Sequence, residues 1–388
     1  MMTREEAPPA GGEPRATPLR AVHERLGATM TGFAGWLMPL RYGSEIAEHR
    51  AVRGAAGLFD LSHMGEIAVT GPGAAAALDY ALVGHLSALK PGRARYTMIC
   101  APDGGVLDDL IVYRLAEGEF LVVANAANTT VVAAALRDRA AGNPAQPAQP
   151  TRVEDRTDDY ALIAIQGPNA SRILQRLTAT ALDEVRYYTG QRAVVAGRDV
   201  LLARTGYTGE DGFELFTSPG DAEPVWTALT GAGEADGLVP AGLAARDTLR
   251  LEAGMPLYGN ELGPEVTPFD AGLGRVVVFD KPGDFVGRAA LAKRAQATPS
   301  RVLAGLTIGS RRVPRHGYPV LWDGKPSGTV TSGAPSPTLG VPIAMAYLDA
   351  GTARRAAEDT AGGMLAVDIR GSAEPARHAD LPFYRRPR

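Results

Sequence analysis

Residues 104–113 read GGVLDDLIVY, with Asp108 and Asp109 side by side in an otherwise apolar run. Paired carboxylates can do acid–base work. In a strand, however, neighbouring side chains point to opposite faces. Leu107, Asp109, Ile111 and Tyr113 then share one face, and Val106, Asp108, Leu110 and Val112 share the other. At most one carboxylate can face a given cavity, so a two-carboxylate dyad is removed. Two readings remain: both acids are held at the strand end by turn amides after Gly104-Gly105, or one of them serves a ligand. A carboxylate in an apolar strand needs a partner or a purpose.

Other candidates are weaker one by one. In RTGYTGEDGFEL (204–215), Glu210 and Asp211 read as solvated hairpin-loop residues. Glu214 lies between Phe213 and Leu215 and faces the side opposite them, where it meets either water or a ligand donor. The segment is glycine-rich but contains no GK[ST] and no GxGxxG, so it is not a phosphate loop. Arg246 and Arg250 are one helical turn apart and share a face. With Asp247 beside them they form surface ion pairs, or one arginine meets a ligand oxygen. His63, in FDLSHMG, reads as a hydrogen-bonded structural residue rather than a base. Tyr96, Tyr187, Tyr188, Tyr207 and Tyr258 are core residues or stacking partners for a flat heterocycle.

Two related units must position these residues. MGEIAVTGPGAAAALDYAL (64–82) and YALIAIQGPNASRILQRL (160–177) are each an apolar strand, a Gly-Pro pair and a helix-forming stretch. Gly-Pro ends a strand and suits a first helical turn. RYTMICA, VLDDLIVYRL and FLVVAN follow the first; RAVVAG, DVLLARTG and GFELFT follow the second. Both units therefore read β–α–β–β–β–α with antiparallel sheets and Gly-rich turns. GNPAQPAQPT (142–151) is a proline-rich linker, and GLAARDTLRLEAGM (242–255) is a helix. From Val276 onward short strands dominate, beginning with VVVFD, which suggests a C-terminal β-barrel or sandwich.

Composition narrows the function. A chain of 388 residues exceeds one core, so two or three domains are expected. A net charge of −3 gives no reason to expect nucleic acid or an anionic membrane surface. Cys100 is the sole cysteine and no histidine pair has ligand spacing, so neither a disulfide nor a metal cluster is expected. No apolar run has the length of a membrane span. Residues 1–16 read as a disordered leader without a signal-peptide core. A cytoplasmic protein is expected.

TGFAGWLMPLRYGSEIAEHRAVRGAAGLFDLSHMGEI, YTMICAPDGGVLDDLIVY, VVANAAN, ALIAIQGPNA, RTGYTGEDGFEL, AGLAARDTLRLEAGMPLYGNEL and TSGAPSPTLG together resemble the aminomethyltransferase, or T-protein, family of the glycine cleavage system. The resemblance runs from about Thr17 to the terminal PFYRR. It implies an α+β, three-domain cloverleaf-like fold. Residues 17–62 and 152–263 would form a discontinuous first domain, 63–151 a second, and 264–388 a C-terminal β-barrel. It further implies transfer of a methylene, from the aminomethyl group on the lipoyl arm of H-protein to tetrahydrofolate, with no metal. Asp109 matches the family's catalytic carboxylate, and Glu214 the acceptor for the pterin donor edge. Arg246 matches a further ligand-binding residue. Tyr96, Asn125, Tyr187 and Tyr207 match positions lining the folate site, with Met64 and Tyr384 as further candidates. Met255 stands where relatives carry tyrosine. Two other folate-linked readings are set aside. The demethylating modules of sarcosine and dimethylglycine oxidases carry a flavin domain for which this chain has no room and no dinucleotide fingerprint. The iron–sulfur assembly proteins carry a KGCYxGQ-type motif, where this chain reads MPLYGNE.

Overall fold

A glycine with positive φ before the first helix of each unit explains the repeated Gly-Pro. In the computed structural model, which describes residues 13–144, 150–359 and 364–387, Gly71 has φ +112° and Gly167 φ +131°. A Cβ at Gly71 would lie 2.3 Å from the Pro150 carbonyl oxygen, and one at Gly167 2.6 Å from that of Ala55. Only glycine fits both the backbone and the contact.

The chain opens with β1 (Arg15–Ala16), α1 (Arg20–Arg25), β2 (Thr29–Phe33), β3 (Trp36–Arg41), α2 (Glu45–Gly54) and β4 (Ala56–Asp60). The first repeat is β5 (Gly65–Thr70), α3 (Ala74–Ala81), β6 (Ala94–Cys100), β7 (Val106–Ala116), β8 (Glu119–Ala124) and α4 (Thr129–Ala141), followed by β9 (Arg152–Asp155). The second is β10 (Ala161–Gln166), α5 (Ala170–Gln175), β11 (Gly190–Val195), β12 (Arg198–Ala203), β13 (Gly212–Thr217) and α6 (Ala222–Gly233), then β14 (Leu238–Pro240) and α7 (Leu243–Glu252). The two sheets run β6-β7-β8-β5-β9 and β11-β12-β13-β10-β4-β14. Their shared order, 2-3-4-1 within each repeat, bears out the duplication. In register, Gly65 faces Ala124 and Ala161 faces Thr217. The next residues, Asn125 and Ser218, each lead a 3₁₀ turn into α4 or α6.

Each repeat buries one sheet face under its own helices. Ile67, Leu110, Val112, Val122 and Leu136 form one such core, and Ile163, Phe213, Leu215 and Trp226 the other. The other two faces meet in a third core containing Tyr113, Leu121, Val123, Leu162, Ala164 and Phe216. Asp109 and Glu214 lie on these meeting faces, because each alternates with residues of the third core along its strand.

α8 (Arg288–Gln296) precedes a closed six-stranded barrel. Its strands are β15 (Arg301–Ile308), β16 (Pro319–Trp322), β17 (Lys325–Pro335), β18 (Pro342–Asp349), β19 (Leu365–Ile369) and β20 (Ser372–Ala379), with α9 (Ala350–Glu358) after β18.

Three expectations are corrected. Residues 152–155 join the sheet of the 63–151 unit, because β9 pairs with β5. The leader is not disordered throughout: Arg15–Ala16 pair with Trp36 and Leu37, and Arg15 stacks its guanidinium 4.0 Å from the Trp36 ring centre. Residues 1–12 lie outside the described residues, as do 145–149 of the linker. VVVFD forms no strand, since 274–276 is a 3₁₀ turn and the residues after it pack against β6 and β7.

Candidate active site

A cavity of 380 Å³ opens between the two meeting sheets and the 255–260 segment after α7. Asp109 faces it from β7. Tyr96, on the neighbouring strand β6, donates its hydroxyl to Asp109 Oδ2 at 2.9 Å. Asn125, just past the end of β8, donates its amide to Asp109 Oδ1 at 2.8 Å. Burial raises the carboxyl above its usual range, while these two hydrogen bonds pull it back down. The result is a desolvated carboxylate in a fixed orientation, suited to stabilising positive charge and moving a proton.

Asp108 points the other way and is fully buried. It is held not by the turn amides after Gly105 but by the 125–128 turn. Its oxygens accept from the Asn125 backbone at 3.0 Å, the Asn125 amide at 2.8 Å and the Asn128 amide at 2.8 Å. Burial and the neighbouring Asp109 charge push it up to about 7.

The second sheet supplies Glu214. Thr205 donates its hydroxyl to Glu214 Oε2, and the Tyr113 hydroxyl stands 3.5 Å from the same oxygen. Burial raises this carboxyl, and the Arg246 charge partly offsets that. Arg246, on α7, lies over the Tyr207 ring at 4.8 Å. Among the described residues its guanidinium makes no hydrogen bond or ion pair, so its donors are open to a ligand. Arg250, one turn on, is spent instead on Asp247, Glu261 and Ser332. It is 1% exposed, so this is a buried network and not surface pairing.

The structure brings Met64, Tyr96, Asp109, Asn125, Tyr207, Glu214 and Arg246 to the cavity wall, together with Met255 and Tyr258. It does not bring Tyr187 or Tyr384 there. Tyr187 is 44% exposed and lies edge-on to Tyr188, whose ring does line the cavity. Tyr187 and Tyr188 lie in the turn before β11, where Tyr188 has φ +58° and the two rings part. Tyr384 sits under the Arg53 guanidinium at 4.0 Å, and its amide donates to the Glu252 carbonyl at 2.8 Å. Arg53 in turn holds the Thr208 carbonyl and Glu210. The C-terminal tail therefore clamps the loop carrying Tyr207. Glu210 and Asp211, expected in solvent, are paired with Arg53 and Arg204.

Sequence reasoning missed His63 as a cavity residue. Its ring lines the wall, edge-on to Phe33 at 5.5 Å, and it is 3% exposed. The expected structural hydrogen bond is absent: Nδ1 is buried with no partner among the described residues. Three residues earlier, Asp60 is held by Thr17, His23 and the Ser62 amide and not by His63. Among the described residues, no group of three or more His, Cys, Asp or Glu could hold a metal ion.

Residues 19–281 match the GCVT N-terminal domain, and 301–385 match the glycine cleavage T-protein C-terminal barrel domain. The chain belongs to the glycine cleavage T-protein family. An aminomethyltransferase of Streptomyces avermitilis is 64% identical over 376 residues, 96% of this chain and 98% of that one. One from Moorella thermoacetica is 47% identical, over 96% and 99%. The crystal structure of glycine cleavage system aminomethyltransferase T from Bartonella henselae superposes with a TM-score of 0.85 at 36% identity, covering 96% and 98%. The T-protein architecture expected from the sequence, two α+β units and a closed barrel, is the one observed.

Proposed function

We propose that this T-protein is the aminomethyltransferase of the glycine cleavage system. It moves the methylene of an aminomethyl group on the lipoyl arm of H-protein to tetrahydrofolate. Ammonia is released, and H-protein is left in its dihydrolipoyl form. One observation carries the reading: Asp109 from one repeat, and Glu214 with Arg246 from the other side, share a single cavity.

The residues fit a pterin. Its 2-amino and N3–H groups form a donor edge, which a carboxylate such as Glu214 accepts. Arg246 has unspent donors for an acceptor oxygen. Tyr96, Tyr188 and Tyr207 offer flat surfaces for the ring. The chemistry then asks little of side chains. Folate N5 and then N10 each bond to the methylene carbon and each lose a proton, while the bonds from that carbon to sulfur and to nitrogen are broken in turn. The two protons end on the dihydrolipoyl thiol and on the released ammonia, and the product is 5,10-methylenetetrahydrofolate. Holding two substrates in a closed site supplies much of the acceleration. Asp109 stabilises the cationic one-carbon unit and relays the protons released by folate, because Tyr96 and Asn125 keep it aimed and favour its ionised form against the effect of burial. Among the described residues no helix is long and apolar enough to cross a membrane, and we place the reaction in the cytoplasm.

The test is tetrahydrofolate-dependent ammonia release from aminomethylated H-protein. Release that requires both components supports the proposal. Its absence, with an H-protein active toward another T-protein, overturns it.

A further inference from the structure

We propose that His63 is a further ligand-binding residue, donating from its imidazole to the pterin 4-oxo oxygen beside Arg246. This rests on the folate reading above.

The starting point is a cost without a return. A buried ring nitrogen with no partner destabilises a fold, and an apolar side chain would pack on Phe33 without that penalty. His63 lies in the 61–64 segment that carries the chain from β4 of one sheet to β5 of the other, along the cavity wall. Of its two ring nitrogens only Nδ1 is both buried and unpartnered, so Nε2 is the atom that a ligand in the cavity can reach.

Which group it serves follows from its neighbours. Burial and the positive charge of Arg246 hold the His63 ring down at about 3, so it is neutral at working pH and is no base. A neutral imidazole has one N–H and one lone pair. Buried orphan acceptors are commoner than buried orphan donors, so the proton belongs on Nε2, with the sealed lone pair on Nδ1. Arg246 and His63 are then two donors on one stretch of wall. With Glu214 taking the 2-amino and N3–H edge, the next atom round the pterin ring is the 4-oxo oxygen. That oxygen has two lone pairs, enough for both donors.

The test compares two ligands by titration calorimetry: tetrahydrofolate, and its reduced 4-amino analogue, in which a donor replaces the 4-oxo acceptor. The proteins are the full chain, His63→Leu and His63→Gln. His63→Leu is expected to bind tetrahydrofolate about tenfold more weakly and the 4-amino analogue no more weakly. Its thermal midpoint without ligand is expected to rise, because the unpaired nitrogen is gone. His63→Gln keeps a donor and is expected to restore part of the discrimination. Equal weakening of both ligands, or no change in either, overturns the inference, since packing alone would act on both alike. If His63→Leu fails to fold, the Gln variant decides: binding of both ligands reduced in parallel overturns the assignment. Failure of the unaltered protein to bind tetrahydrofolate would instead sink the folate reading itself.

Discussion

Asp108 and Asp109 face opposite sides of β7, yet one amide nitrogen joins them. Asn125 Nδ2 lies 2.8 Å from an oxygen of each carboxylate. An amide has two hydrogens, so each aspartate takes one, and the orientation of the side chain is fixed by its having an acceptor on both sides. The buried acid thus positions the residue that positions the cavity acid.

Replacing either aspartate by asparagine separates the two roles. Asp109→Asn is expected to lower turnover by about 10²–10⁴-fold with the fold intact. Asp108→Asn is expected to lower it by roughly tenfold and to reduce stability by about 1–3 kcal/mol, because in either orientation its NH2 faces a donor, the Asn125 backbone N–H or the Asn125 and Asn128 side-chain amides. Steady-state ammonia release and chemical denaturation measure these. Equal losses of turnover would contradict the division.

Tyr96→Phe should move the acid limb of the pH–rate profile. Tyr96 donates to the ionised form of Asp109 and so lowers its pKa. Without that bond the pKa rises further, and activity should begin to fall at a higher pH than in the unaltered protein. An unshifted limb would show that Asp109 does not set it.

Glu214→Gln should weaken tetrahydrofolate binding by about 10–150-fold, since a bond to a charged group is worth about 1.5–3 kcal/mol. Burial raises Glu214, so binding by the unaltered protein should also decline as pH falls through that raised value. The glutamine variant should lack this decline. Calorimetry between pH 5 and 8 separates the two.

Glu66 makes a stability prediction away from the chemistry. It lies on the inward face of β5, 1% exposed, and neither carboxyl oxygen has a partner among the described residues. Burial, then the Asp155 charge, raises it well above the usual range. A raised carboxyl contributes stability that is full below the unfolded pKa and lost as pH rises through the folded one. Glu66→Gln should therefore be little changed near pH 4 and gain thermal stability relative to the unaltered protein at pH 8. A gain that is the same at both pH values would refute the assignment.

Much of this site could be read from strand periodicity. Alternation separated Asp108 from Asp109 and set Glu214 opposite Phe213 and Leu215, and the packing agrees. The repeat was visible because Gly-Pro marks a backbone need that only glycine meets. What stayed hidden is tertiary. Asp108 finds its partners 17 and 20 residues away. Tyr188 and not Tyr187 reaches the cavity because the pair sits in a turn with a left-handed residue, where no strand period sets the facing. Tyr384 is captured by an arginine from α2 that no local pattern connects to it. His63 was misread because a missing partner leaves no trace in sequence.

The register of the two repeats has a consequence for their history. Ile111 faces Val123 as Leu201 faces Phe216, so the counterpart of Asp109 in the second repeat is Asp199, and that of Asn125 is Ser218. Tyr96 corresponds to Arg192, which pairs with Leu201 as Tyr96 pairs with Ile111. Asp199 and Arg192 are both exposed, and neither lines the cavity that Asp109 faces. In the other direction, Glu214 corresponds to Leu121, an apolar core residue. With the roles proposed above, the first repeat would supply the reactive carboxylate and the second the pterin acceptor. Neither repeat carries both groups on its own, so the cavity is completed only at the seam between two divergent twins.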